Sequence, residues 1–121
     1  MQNSQPSQDE SQARLQLLSA IIEGSEDAIF AKDLEGRYLL FNRTACRLVG
    51  KPVEEVLGRD DTHLFPCEQA EDLRAFDHRV IAENDSITEE HWLTTADGGK
   101  RDFLDIKTPL RDAMGQVIGL T

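Results

Sequence analysis

The sequence predicts an α+β domain: two strands, a cluster of helices and three further strands build a five-stranded antiparallel sheet, preceded by an N-terminal amphipathic helix. Three observations carry the prediction. Strand-like apolar runs flank tight turns at Asp33-Leu34-Glu35-Gly36, Asp97-Gly98-Gly99 and Asp112-Ala113-Met114-Gly115; apolar residues at helical spacing fill the middle of the chain; and Leu15, Leu18 and Ile22 repeat at that spacing ahead of the first strand.

Residues 1–11 are rich in Gln and Ser and hold no strongly apolar residue after Met1, so burial cannot offset the entropy of ordering them and a flexible tail is expected. Residues 12–24 form the helix, its stripe widened by Leu17 and Ile21 and its end marked by Gly24. The stripe either lies as a lid on its own domain or meets a second copy, in which case Leu15, Leu18 and Ile22 make a homodimer. The core spans residues 25–121. Its first hairpin runs from Ala28 to Phe41, and Asn42 suits the junction to a short helix because its side chain can cap a free amide there. That helix carries Ala45, Leu48 and Val49 and closes at Gly50; a second covers 53–57; residues 59–64 read as an acidic turn. Pro66 then opens a helix reaching Glu83, with Ala70, Leu73, Phe76 or Asp77, Val80 and Ile81 inward. Strands follow over 86–95, 100–110 and 116–121.

Composition excludes several function classes. Acidic residues outnumber basic ones 23 to 13 for a net charge of −10, which repels phosphate backbones and anionic headgroups, so neither nucleic acid nor membrane contact is expected. No apolar run approaches the ~20 residues needed to cross a bilayer and no signal peptide opens the chain, which points to the cytoplasm. Cys46 and Cys67 make neither a disulfide framework nor a closed zinc site. No catalytic residue set is found: His63, His78 and His91 fall on different elements, and no glycine-rich phosphate loop occurs.

Taken in order, several segments between residues 15 and 121 resemble the PAS family. They are the hairpin with Asp33, Gly36 and Phe41-Asn42, then Gly50-Lys51-Pro52 with Val56-Leu57-Gly58-Arg59, then Asp61 with Leu64-Phe65-Pro66. Later come Asp77 with Val80, the turn Asp97-Gly98, and Phe103 with Lys107-Thr108-Pro109-Leu110-Arg111-Asp112, Gly115 and Val117-Ile118-Gly119. The resemblance implies a PAS fold with helices between strands two and three. It further implies a sensor and interaction domain without catalytic activity, passing a signal to a C-terminal output domain such as a histidine kinase or diguanylate cyclase of a bacterial signalling protein. The family's closing Asp-Ile/Leu-Thr motif would follow Thr121, so the core is expected to stop short of the C-terminal linker.

Family members that hold a cofactor do so between sheet and helices. Here that space would be lined by Phe30, Leu48, Leu73, Phe76, Val80, Trp92, Leu104 and Ile106, with Asn42 a further candidate, unless these residues simply pack on one another. Lys107 either faces Glu90 across the sheet or points inward as a carboxylate anchor. In haem-binding members a histidine of the long helix ligates iron; that position falls near Leu73, and His78 is on another face. Flavin-binding light sensors carry a cysteine after Gly-Arg-Asn, where this chain has Gly58-Arg59-Asp60-Asp61. Haem and covalent flavin chemistry are therefore disfavoured, His63 and Cys67 supply at most half of a zinc site, and a small organic ligand remains open.

Overall fold

The computed structural model describes residues 8–121, so part of the expected tail lies outside the described residues. Within them residues 8–11 are helical. Helix α1 runs Gln8–Gly24 and places Asp9 and Glu10 in its first turn, where the helix dipole favours carboxylates. Strands β1 (Phe30–Asp33) and β2 (Tyr38–Phe41) form the first hairpin. Four helices follow, α2 (Arg43–Val49), α3 (Val53–Val56), α4 (Asp61–Leu64) and α5 (Cys67–Glu83), then β3 (Ile87–Thr94), β4 (Lys100–Lys107), β5 (Pro109–Arg111) and β6 (Val117–Leu120).

Helix α4 replaces the expected acidic turn. Asp60 has extended backbone and its carboxylate accepts from the Thr62 amide at 3.0 Å, which makes it an N-cap rather than a turn residue. The strand expected over 100–110 is divided in two. All eight residues of β3 pair with β4, but at Thr108 the chain changes partner, exchanging amide and carbonyl bonds with Thr121 at 2.8 and 2.9 Å. Pro109, which lacks an amide hydrogen, then starts β5. The ladders are therefore β2-β1-β6-β5 and β3-β4, all antiparallel and linked through Thr108. With β4 and β5 taken as one run, the sheet has the expected five strands.

Strands β1 and β6 approach closely at Gly119. A Cβ on Gly119 would lie 1.9 Å from the Lys32 carbonyl oxygen, so only glycine fits there. Tyr38, Phe41, Ala45 and Val56 form the core under the hairpin, with Tyr38 edge-on to Phe41 at 5.0 Å. Along α5, Ala70, Leu73, Phe76, Asp77 and Val80 are buried, the 3.6-residue stripe read from the sequence; Ile81 is half-buried. Among the described residues no helix is long and apolar enough to cross a membrane.

Candidate functional site

Between the sheet and the helices lies a cavity of about 680 Å³, within the ~300–1,000 Å³ typical of small-molecule sites. Its walls are apolar, including Phe30, Phe41, Leu48, Phe65, Leu73 and Phe103, and its polar end is made by Tyr38, Asp105 and Lys107. A second, separate hollow of about 90 Å³ beside the first hairpin turn is too small to take more than a fragment.

The alternation of β3 and β4 decides which side chains meet the cavity. Glu89, His91 and Leu93 of β3 and Phe103, Asp105 and Lys107 of β4 turn to the core, while Thr88, Glu90, Trp92, Leu104 and Ile106 occupy the opposite face. The sequence reading was therefore one residue out of phase here. Trp92, expected inside, is 63% exposed and does not line the cavity; Leu104 and Ile106 border it, yet remain 67% and 59% exposed. Phe30, Leu48 and Leu73 line the cavity as expected. Phe76 and Val80 are fully buried behind it, Phe76 stacked on His91 with ring centroids 5.0 Å apart.

Asn42, the remaining candidate, is also placed elsewhere. Its carboxamide is wholly buried: Oδ1 accepts from the amides of Ile29 and Ala45, both at 3.0 Å, and Nδ2 donates to the carbonyls of Ile22 at 2.8 Å and Asp27 at 2.9 Å. Every bond it can readily make is made to the chain, so it caps α2 and ties down the end of α1 instead of meeting a ligand.

The polar end of the cavity continues into a buried ionic network that the sequence reading did not assemble. Lys107 points inward, and its Nζ lies 2.6 Å from Asp77 and 3.7 Å from Asp105. Asp77 also binds Lys32 at 2.9 Å; Lys32 in turn meets Asp61, which accepts from the Tyr38 hydroxyl. Both lysines are 1% exposed. Their ammonium groups also lie over aromatic faces, Lys107 at 4.8 Å from the Phe76 centroid and Lys32 at 5.0 Å from that of Tyr38. Burial alone would push Lys32 down, but the charges of Asp61 and Asp77 outweigh it and hold the lysine above its ordinary value. Burial, reinforced by the Asp61 charge, lifts the Tyr38 hydroxyl well above its own. Burial likewise raises Asp105, against the opposing pull of Lys107.

These positions settle the Lys107 alternatives. Glu90 pairs with Leu104 on the outer face and cannot reach Lys107, whose cross-strand neighbour is Ile87. His63 and Cys67 do not share a helix face either, because extended Phe65 and Pro66 separate α4 from α5. The stripe of α1 is open: Leu15, Leu17, Leu18 and Ile21 are 50–66% exposed, and only Ile22 is half-buried.

Comparison with known proteins adds the family context. The PAS fold family matches residues 22–121. The methanogenesis regulatory histidine kinase FilI of Methanothrix harundinacea is 35% identical over 100 residues, covering 83% of this chain and 11% of that one. A diguanylate cyclase of Vibrio cholerae is 31% identical over 94 residues, covering 76% and 29%. The chain thus spans only a fraction of the curated relatives' length. Among solved structures, a ligand and DNA complex of the Vibrio VqmA protein superposes with a TM-score of 0.78 at 25% identity, over 88% of this chain and 48% of VqmA. That match overturns the expectation that nucleic acid is excluded as a partner. Net charge describes only the surface of the segment that carries it, and a domain of this fold occurs in a chain that is bound to DNA.

Proposed function

Because the chain belongs to the PAS fold family, we propose that it is a cytoplasmic sensor domain that takes a small organic ligand into its cavity and passes occupancy to an output domain of a longer signalling protein. It performs no catalysis itself. The observation that carries the reading is the cavity of about 680 Å³. Apolar walls with a few convergent polar groups are the usual form of a ligand site. The kinase, cyclase and VqmA relatives support an output of one of those kinds. No haem or covalent flavin is assigned to it, since Leu73 and Asp61 stand where those chemistries would need a histidine and a cysteine.

A thermal-shift screen against fractionated metabolites tests this. A ligand at a hundred times its Kd stabilises by about 2.7 kcal/mol, and the shift should vanish in Leu48→Trp, which fills the cavity wall. An equal shift in that variant would place binding elsewhere and defeat the reading.

A second reading, a ligand-free relay that works through dimerisation, is favoured by the open apolar stripe of α1 at Leu15, Leu18 and Ile21. Sedimentation of the chain and of Leu15→Glu/Leu18→Glu distinguishes it: a dimer that the double variant converts to monomer supports the relay.

A further inference from the structure

Lys107 is the obvious anchor for an anionic ligand, but its charge is already engaged by Asp77 at 2.6 Å and Asp105 at 3.7 Å. Around it Lys32 and Lys107 face Asp61, Asp77 and Asp105, so carboxylates outnumber ammonium groups before any ligand enters. A carboxylate arriving here would add another negative charge to a buried site, and a lysine shared between two aspartates cannot offset that desolvation. Asp105 is placed differently. It lines the cavity, its side chain is 14% exposed, and among the described residues its carboxylate has Lys107 as its ion partner and no hydrogen bond. Its oxygens keep open acceptor capacity. Phe65 and Phe103 line the same cavity, and aromatic rings suit a polarised N–H or a cation.

Resting on the cavity reading above, we propose that the ligand presents a nitrogen-borne hydrogen-bond donor, an ammonium or a neutral N–H, to the carboxylate of Asp105, and does not present a carboxylate to Lys107. Burial raises the pKa of Asp105 despite the opposing charges of Lys107, His91 and Lys32, so its carboxylate is only partly compensated.

Four probes with one apolar body test it: ethylbenzene, phenethylamine, phenylacetamide and phenylacetate, titrated into the chain and into Asp105→Asn by protein-observed NMR. The amine or the amide should bind about tenfold tighter than phenylacetate, the value of one charge-assisted hydrogen bond. A tighter amine assigns a charged donor and a tighter amide a neutral one. Asp105→Asn should bring phenethylamine down to the level of ethylbenzene, while ethylbenzene binds both proteins alike and reports that the cavity is intact. If ethylbenzene binds and phenylacetate matches or exceeds the nitrogen compounds, the donor assignment is wrong and the cavity reading stands. If none of the four binds, the cavity reading itself fails and the assignment falls with it.

Discussion

Replacing Lys107 by Met keeps a long, unbranched stem in the wall of the cavity and removes one charge from the buried network. What remains is Lys32 facing Asp61, Asp77 and Asp105, with Asp77 and Asp105 both deprived of a cation that lay 2.6 and 3.7 Å away. Breaking a buried pair by removing one partner costs about 3–5 kcal/mol, against a total of ~5–15 kcal/mol for a domain. A melting temperature lower by about 12 °C or more should result. The loss has a signature that simple truncation lacks. Adding Asp105→Asn removes one of the uncompensated charges, so the double variant should be more stable than Lys107→Met alone, by about 1–2 kcal/mol in a double-mutant cycle. Urea denaturation followed by circular dichroism measures all three proteins. A loss below about 1 kcal/mol for Lys107→Met, or a double variant less stable than the single, would refute the account of a mutually dependent network.

Asn42→Ala should cost at least the ~2 kcal/mol at the top of the capping range, because it strands the Ile29 amide and the Ile22 and Asp27 carbonyls as well as the start of α2; urea midpoints measure it. Gly119→Ala should exceed the ~1–3 kcal/mol of ordinary overpacking, since backbone and not a movable side chain blocks the new methyl, and a fully folded variant of unchanged melting temperature would contradict that. Asp105 binds its proton more tightly folded than unfolded, so stability falls as pH rises from its ordinary value of 3.8 through the raised one. Asp105→Asn should therefore be more stable than the parent at neutral pH, by an increment that disappears in acid. Lys32 and Tyr38 also have raised values, so their contributions are complete below their ordinary 10.5 and 10.0 and are lost as pH climbs through the folded ones. Denaturant midpoints should fall across that alkaline range, and less steeply in Tyr38→Phe.

Sequence periodicity located the long helix and the three hairpins because its cause is local: a stripe such as Ala70, Leu73, Phe76 and Val80 is buried by its own spacing. The phase of β3 and β4 was not legible in the same way. Their apolar residues, Trp92, Leu104 and Ile106, suggested one face as inward, yet the chain turns Glu89, Asp105 and Lys107 to the core. What reverses the expected alternation is charge pairing across elements: Lys107 meets Asp77 from α5, and Lys32 from β1 meets Asp61 from α4. A signal was present in the charged residue Asp77, which lies within the apolar stripe of α5. Its weight appears only when partners 30 and 45 residues away are brought beside it. The Asn42 cap was legible from its position; its hold on the end of α1 was not, since that depends on where Ile22 and Asp27 fall in space.

That hold has a mechanical meaning. None of the 17 residues of α1 is fully buried, and among the described residues bonds from the helix to the core gather at its C-terminal end: Ile22 to Asn42, Glu23 to the Arg43 amide, and just beyond them Ser25 to Thr44. Helix α1 is thus a lever about 25 Å long, held at its foot and exposing Leu15, Leu17, Leu18 and Ile21 along its arm. A small rotation at the Asn42 pivot becomes a displacement several times larger at the far end. An arm held at one end amplifies whatever rotation its foot undergoes.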